Sequence, residues 1–354
     1  MHFIYLQSKQ KCYKVDLTLF IMGVQISELV TKKDIEIEYL KNKIVAIDFS
    51  NVCYQFLSSI RQPDGTLLMD NKGRVTSHLV GIFTRSSNLM EKGVKLCYVF
   101  DGKSPLLKVK EQEEREYRKQ IAEEKLREAK EKEDIEKMYK YSKQTIRLSK
   151  EIIEESKELL TAMGIPVIQA PSEAEAQAAF MCERKDVDFV GSQDYDTLLF
   201  GAPRLVRNLT ISQRKKLPSG GYTIVRPQLI ELKDTLKHLG IKQDQLIVLA
   251  ILIGTDFNIG GVRGIGPKTA LNLVKQHKNF DKLFKEVKAE FNWKEIFAVF
   301  KSMPLMKNYQ LKFKNVDERK IKKLLIDEHD FSEERVEKTL ERIKGKDAGL
   351  GKWV

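Results

Sequence analysis

The sequence predicts an α/β fold: a mostly parallel central sheet flanked by helices, with a helical arch and a helix–hairpin–helix element added to it. Three observations predict it. Short β-branched or aromatic runs alternate with helical stretches in the front half, a long stretch without glycine or proline interrupts them, and a glycine-rich turn joins two helices in the back half. With 354 residues, 42% of them apolar, the chain suits one large domain or two smaller ones and is too apolar to be disordered.

The elements follow in order. Met1 to Ile21 reads as an extension outside the fold, with Met22 the natural beginning. Lys9, Lys11, Lys14 and Asp16 interrupt any secretory signal, and Leu17 to Val24 is far shorter than the roughly 18 apolar residues of a membrane span. Four buried strands are expected at Ile44–Asp48, Lys95–Asp101, Pro166–Ala170 and Asp188–Ser192. Each ends at or just before an acidic residue. In open α/β sheets the functional crevice lies beyond the carboxyl ends of the strands, so acidic residues distant in the chain can converge there.

Between Pro105 and Gly164 lie 58 residues with 15 basic and 15 acidic side chains and no glycine or proline, a long helical stretch. From Lys110 to Asp134 its apolar positions are too sparse for a core-facing stripe, so it projects, either as a solvated charged pair of helices or as an element that meets a substrate. Val206–Thr210 and Tyr222–Val225 read as two more strands around a polar loop, Ser212–Gly221, and a helical region then runs from about Pro227 to Lys346. The expected divisions are 1–21 (extension), 22–120 (N-terminal part of the main domain), 106–163 (arch), 164–280 (internal part with the helix–hairpin–helix), 281–343 (C-terminal helices) and 344–354 (tail).

The net charge of +12 points to a polyanionic partner, and it is lopsided. Residues 1–200 hold 31 basic and 32 acidic side chains; residues 201–354 hold 31 and 18. The four cysteines lie at least 41 residues apart, and the five histidines form no HExxH pair, so a zinc cluster, a disulfide framework or a histidine-bound zinc hydrolase has no support. A reducing compartment fits these cysteines better than an oxidising one. Metal chemistry must come from carboxylates.

Seven carboxylates fall at the right places: Asp48 and Asp101 close strands, Glu173 and Glu175 follow a third, Asp194 and Asp196 follow a fourth, and Asp256 ends the apolar helix Leu246–Gly254. Any one pair taken alone also reads as helix caps or turn residues. Seven in one crevice cannot all stay ionised without cations. Mg2+ takes oxygen ligands, and two such ions about 3.5–4 Å apart can activate a water and stabilise a leaving oxygen in phosphodiester hydrolysis. Lys108 and Arg115, two helical turns apart on one face, would neutralise the phosphate, or are two of the many solvated cations there. Gly260-Gly-Val-Arg-Gly-Ile-Gly-Pro-Lys268 then precedes a helix, Thr269 to His277, whose N-terminal amides form an anion site; a nucleotide P-loop is the competing reading, and its pattern is not matched. The basic surplus lies in this half, as gripping a phosphate backbone requires.

These residues resemble the flap endonucleases of the structure-specific 5′ nuclease family. The motifs are VFDG (Val99–Gly102), APSEAEA (Ala170–Ala176), SQDYD (Ser192–Asp196), IGTDFN (Ile253–Asn258) and GIGPK (Gly264–Lys268), and the likeness covers about Met22 to Val354. It implies a PIN-like 5′ nuclease fold and a two-Mg2+ phosphodiesterase, with Mn2+ able to substitute. Such an enzyme removes 5′ flaps in Okazaki-fragment maturation and long-patch base excision repair. Asp48, Asp101, Glu173 and Glu175 match the family's first metal site, and Asp194, Asp196 and Asp256 the second. Lys108 and Arg115 match its catalytic basic pair at the base of an arch through which a single-stranded 5′ end threads. Tyr54 matches the aromatic that stacks on the nucleotide beside the cut, or is a core tyrosine. Thr76, in Thr76-Ser-His-Leu79, resembles part of the pocket that receives a one-nucleotide 3′ flap; the Arg61–Gly65 stretch looks archaeal, with Arg61 expected to bind substrate; and Gly264, Gly266 and Lys268 match the duplex grip. The resemblance further implies a cytoplasmic monomer that joins a sliding clamp (PCNA) through its tail.

Three departures stand out. Ser104 replaces the first proline of D-G-K-P-P. The tail should read Q-x-x-L-x-x-[WF]-F, and its register here gives Asp347, Leu350, Trp353 and Val354, without the glutamine or the final aromatic. Members begin near Met22, with a glycine close to the active site. The alternatives are a 5′ exonuclease or junction resolvase of the same family, a catalytically silent DNA-binding clamp partner, and an RNase toxin of similar fold. None of the seven carboxylates is missing, against the silent reading, and a toxin has no need of the basic half.

Overall fold

The computed structural model describes residues 23–210, 214–216 and 222–347. The expected extension (1–21), most of the Ser212–Gly221 loop and the clamp residues Leu350, Trp353 and Val354 lie outside the described residues.

The strands are β1 (Lys33–Asp34), β2 (Ile44–Asp48), β3 (Lys95–Phe100), β4 (Val167–Gln169), β5 (Phe189–Gly191), β6 (Arg204–Arg207), β7 (Arg214–Lys216), β8 (Tyr222–Ile224) and β9 (Gln228–Glu231). Seven of them form one sheet in the order β1-β9-β6-β5-β2-β3-β4, and β7 and β8 make a separate hairpin. From β4 to β6 all neighbours are parallel; β9 runs antiparallel to β6, and β1 antiparallel to β9.

The helices are α1 (Phe49–Ser59), α2 (Ser77–Glu91), α3 (Val109–Glu131), α4 (Ile135–Ser142), α5 (Lys150–Ala162), α6 (Ala174–Glu183), α7 (Asp196–Leu199), α8 (Leu232–Leu239), α9 (Gln243–Ile253), α10 (Pro267–Gln276), α11 (Phe280–Glu286), α12 (Trp293–Ser302), α13 (Glu318–Lys322) and α14 (Glu333–Asp347).

Helices cover both faces of the sheet, which is why β2 and β3 read as continuous apolar runs. Alternate residues enter opposite cores. Val45 and Ile47 pack with Leu96, Tyr98 and the inner faces of α1, α2, α5 and α14, whereas Ala46, Cys97, Val99 and Val190 pack with α6, α9 and α10. From Leu246 to Leu252 the helix α9 is apolar all round because that part lies inside the second core.

Several expectations need correction. The strand placed at Val206–Thr210 is Arg204–Arg207, and Leu209 and Thr210 lie beyond it. The polar loop contains β7, and the helical region expected from Pro227 opens instead with β9, helix beginning only at Leu232. Pairing decided both: β9 completes its backbone hydrogen bonds against β6, and β7, all Arg and Lys, against β8. The C-terminal helical region is interrupted by extended chain over 303–317. The arch stretch is helical as α3, α4 and α5, broken at Glu133, whose φ is +49°.

Candidate active site

Each acidic residue owes its place to a strand or helix end. Asp48 ends β2 and caps α1, its Oδ1 accepting the Asn51 N–H at 3.1 Å. Asp101 follows β3, and its Oδ1 accepts the Ala174 N–H at 2.7 Å, tying it to the start of α6. Two loops are zipped together there: Gly102 N–H donates to the Ser172 carbonyl at 2.6 Å, Lys103 N–H to that of Pro171 at 3.0 Å, and Ser172 Oγ to that of Lys103 at 2.8 Å. Glu173 is the N-cap of α6 and Glu175 lies in its first turn, where the helix end favours negative charge. Asp194 sits in the loop after β5 and Asp196 begins α7, its Oδ1 accepting the Val24 N–H at 2.7 Å. Asp256 follows α9 in the turn closed by Thr255 and Asn258.

These groups share a field. Burial first, then the neighbouring Asp101, pushes Asp48 well above the ordinary carboxylate range. Burial and Asp196 do the same to Glu175. Asp194 is pushed up to about 7 and Asp196 to about 8, by burial and then by Asp256. Burial also raises Glu173, against the pull of Lys108. The fold therefore gathers buried carboxylates that resist joint ionisation.

Two cations enter from the start of α3, Lys108 as its N-cap and Arg115 on its second turn. Lys108 Nζ lies 2.5 Å from Glu173 and 3.4 Å from Asp256, and 5.8 Å from the centre of the Phe257 ring. Burial alone would lower this ammonium; attraction to Glu173 and Asp256 outweighs it and keeps Lys108 charged. Arg115 reaches Asp256 at 3.3 Å and is gripped by Glu111, itself buried with its second oxygen unpartnered. The expected pair thus meets the carboxylates.

The donor set suits a hard divalent ion: all oxygen, with Asp48, Glu173 and Asp196 buried, Glu175, Asp194 and Asp256 half-buried and Asp101 exposed, and with Glu175 Oε1 having no hydrogen-bond partner. As the side chains stand, no three His, Cys, Asp or Glu among the described residues are arranged around one metal position. Lys108, Asn51 and backbone N–H groups take up the oxygens instead.

The other expected residues divide. Tyr54 is half-buried on α1, with Lys119 of α3 at 6.0 Å over its ring, so it lies beneath α3. Arg61 turns inward: its Nε donates to the Leu57 carbonyl at 2.7 Å and its Nη1 to that of Gly65 at 2.6 Å, bracing its own turn. Thr76 is buried ahead of α2. Gly264 has φ +82°, Gly266 caps α10, and a Cβ at either would touch nothing, so both leave an open surface beside the exposed Lys268. The sequence reading missed Asn51, Arg207 and Glu111. Arg207 holds the acidic loop by its Nε, 2.8 Å from the Gln193 carbonyl, and through Tyr195. Glu111 carried a signal, the i,i+4 spacing to Arg115.

The chain matches the XPG N-terminal domain over residues 22–122 and the XPG I-region over 164–256, which bracket most of the arch. It is 52% identical over 338 residues to the protein named Flap endonuclease 1 of Thermococcus onnurineus, covering 94% of this chain and 99% of that one. The solved flap endonuclease-1 from Methanococcus jannaschii is similar at 43% identity and a TM-score of 0.74, over 93% of this chain and 100% of that one. The catalytic core of Rad2 in complex with DNA substrate shares the fold, with a TM-score of 0.67 at 22% identity over 91% of this chain and 100% of that one.

Proposed function

This chain belongs to the flap endonuclease family, and we propose that its seven carboxylates hold two Mg2+ ions where a 5′ flap meets duplex DNA. It is a structure-specific 5′ nuclease that hydrolyses phosphodiester bonds at flap junctions, with 5′ to 3′ exonuclease activity, in Okazaki-fragment maturation and long-patch base excision repair. The observation that carries the metal reading is the buried cluster itself, whose members raise one another's proton affinity and leave Glu175 Oε1 unpartnered.

In this reading Asp48, Asp101, Glu173 and Glu175 hold one ion, and Asp194, Asp196 and Asp256 the other; Mn2+, with the same taste for oxygen, can replace Mg2+. Ions held there would supply a water of lowered pKa and charge to stabilise a leaving oxygen. The protein's own groups do the rest. Lys108 and Arg115 exchange their carboxylate partners for the scissile phosphate and neutralise the charge that develops on it. The ring of Tyr54 supports the nucleotide beside the cut. The amides at the start of α10, reached across Gly264 and Gly266, grip the duplex backbone with Lys268. Thr76 lies beside the site for a 3′ flap, and Arg61 serves it by shaping the turn ahead of it.

The divisions 22–120, 106–163, 164–280 and 281–343 follow as nuclease, arch, internal nuclease and C-terminal parts. The tail at 344–354 is assigned to a sliding clamp, PCNA, through Leu350, Trp353 and Val354, with the enzyme otherwise a monomer. No described helix is long and apolar enough to cross a membrane, and the likeness to archaeal DNA-processing proteins supports a cytoplasmic setting.

The test is a double-flap DNA labelled at its 5′ end, incubated with Mg2+ or with EDTA. One incision just inside the junction, only with Mg2+, is expected; a ladder of short products or paired nicks in a four-way junction would favour the exonuclease or resolvase readings. Asp194→Ala is expected to abolish cleavage and to bind the flap as before.

A further inference from the structure

Asn51 stands where two strands stop holding each other. β2 and β5 pair as far as Ile47 and Gly191, and beyond them one chain turns into α1 and the other into the acidic loop. Asn51 bridges that gap from the first turn of α1, and it is buried. Its main-chain N–H donates to Asp48 Oδ1 at 3.1 Å, its Nδ2 to Asp194 Oδ2 at 2.7 Å, and its Oδ1 accepts the Gln193 N–H at 3.0 Å. The amide orientation is dictated by its partners, because a backbone N–H can only donate and an ionised carboxylate can only accept.

We propose that Asn51 is a positioning residue that fixes Asp194 relative to Asp48, and so sets the spacing between the two groups of carboxylates and the affinity of the second for a divalent cation. The inference rests on the reading of these carboxylates as metal ligands. Groups that orient a ligating carboxylate without touching the metal commonly carry about 10- to 100-fold in metal affinity. Asn51 has a further property: its main-chain N–H holds the carboxylate at a strand end and its side chain holds one in a neighbouring loop, so loss of the side chain frees Asp194 from the residue that caps against Asp48 and acts on geometry between the groups.

Two variants separate orientation from simple anchoring. Asn51→Asp keeps an acceptor for Gln193 N–H, removes the donor to Asp194 and sets a carboxylate against it. Asn51→Leu keeps the branched shape and removes both side-chain bonds. The readouts are the Mg2+ concentration that half-completes the rise in Tm of the DNA-free protein, the Mg2+ half-saturation of cleavage, and flap-DNA affinity in EDTA. Both variants are expected to need about 10- to 100-fold more Mg2+, with flap-DNA affinity in EDTA unchanged. An Asn51→Asp protein that binds Mg2+ like the parent would overturn the proposal, leaving Asn51 as a loop anchor; so would equal losses of Mg2+ and DNA affinity. Should Asn51→Leu fail to fold, Asn51→Asp decides alone. Asp194→Ala tells the two failures apart: normal Mg2+ binding in that variant sinks the metal reading, whereas a loss there beside a normal Asn51→Asp sinks only this inference.

Discussion

A methyl group at Gly102 would stand 2.2 Å from the Ala170 carbonyl oxygen and 2.5 Å from Pro171, inside the zipped loops that bring Asp101 to the start of α6. Neither neighbour is a flexible side-chain end, so the loops must part. Gly102→Ala is expected to cost about 1–3 kcal/mol by overpacking and to lower cleavage as Asp101 leaves the Ala174 N–H; urea melts and flap turnover check both. Lys108 is decided by charge instead of space. Its ammonium is held between Glu173 and Asp256 and stays protonated, so Lys108→Ala should lower kcat about 10²–10³-fold with flap affinity in EDTA little changed. A loss confined to affinity would make Lys108 a DNA-gripping residue. At this scale the sequence was legible wherever chemistry needs a residue type at a strand end, as with Asp48 and Asp101. Asn51 and Arg207 escaped it because their partners, Asp194 and the Gln193–Tyr195 stretch, come close only after the sheet has formed.

Among the elements, α10 carries the clearest expectation. Pro267 begins it, Gly266 caps it without a side chain, and Gly264 holds a left-handed φ in the turn before it, so its first N–H groups face open space with Lys268 beside them. A contact to phosphate made by one lysine contributes through counterion release. Lys268→Ala should therefore weaken duplex binding, reduce the slope of log Kd against log salt by about 1, and leave single-turnover cleavage of fully bound DNA unchanged. An unaltered salt slope would remove Lys268 from the interface. The turn and helix were readable because glycine, proline and an apolar stripe each mark one local step. The strands β7 and β9 were not. Arg214-Lys-Lys216 has no apolar alternation, and Gln228–Glu231 is strand only because β6 offers it a partner. The interruption over 303–317 likewise lacks a strong local stop, Pro304 being its sole breaker.

For the molecule as a whole, the lopsided charge of the sequence becomes a division of labour in space. Six of the seven carboxylates come from residues before 201, while most of the basic surplus lies after it and includes the turn at α10. The fold class was legible because both faces of the sheet are covered and its central strands are uniformly apolar; the convergence of the carboxylates was legible only as a rule about strand ends, and the donors that fix their angles were not. This gathered negative charge opposes folding when no cation is bound. Asp194 and Asp196 titrate near 7 and 8 when folded, raised by burial and by Asp256, whereas an unfolded chain ionises them near 4. Between those values the folded protein binds more protons than the unfolded one, so its stability is greatest below the unfolded pKa and declines as pH rises through 7 to 8. His78 acts with the opposite sign: burial lowers its pKa against the pull of Glu155, so its contribution is lost only as pH falls below about 6.5. A window from about pH 6.5 to 8 therefore isolates the carboxylates, because the thiols of Cys53, Cys97 and Cys182, raised by burial, add a loss of the same sign only as the unfolded thiols ionise near about 8.5. In EDTA the Tm is expected to fall by roughly 2–4 °C across it, and in Mg2+ the decline should flatten, because ions held by the ionised carboxylates favour the state that burial disfavours. A Tm that climbs with pH in EDTA, or a decline that Mg2+ leaves untouched, would mean that these carboxylates neither share one field nor bind the ion.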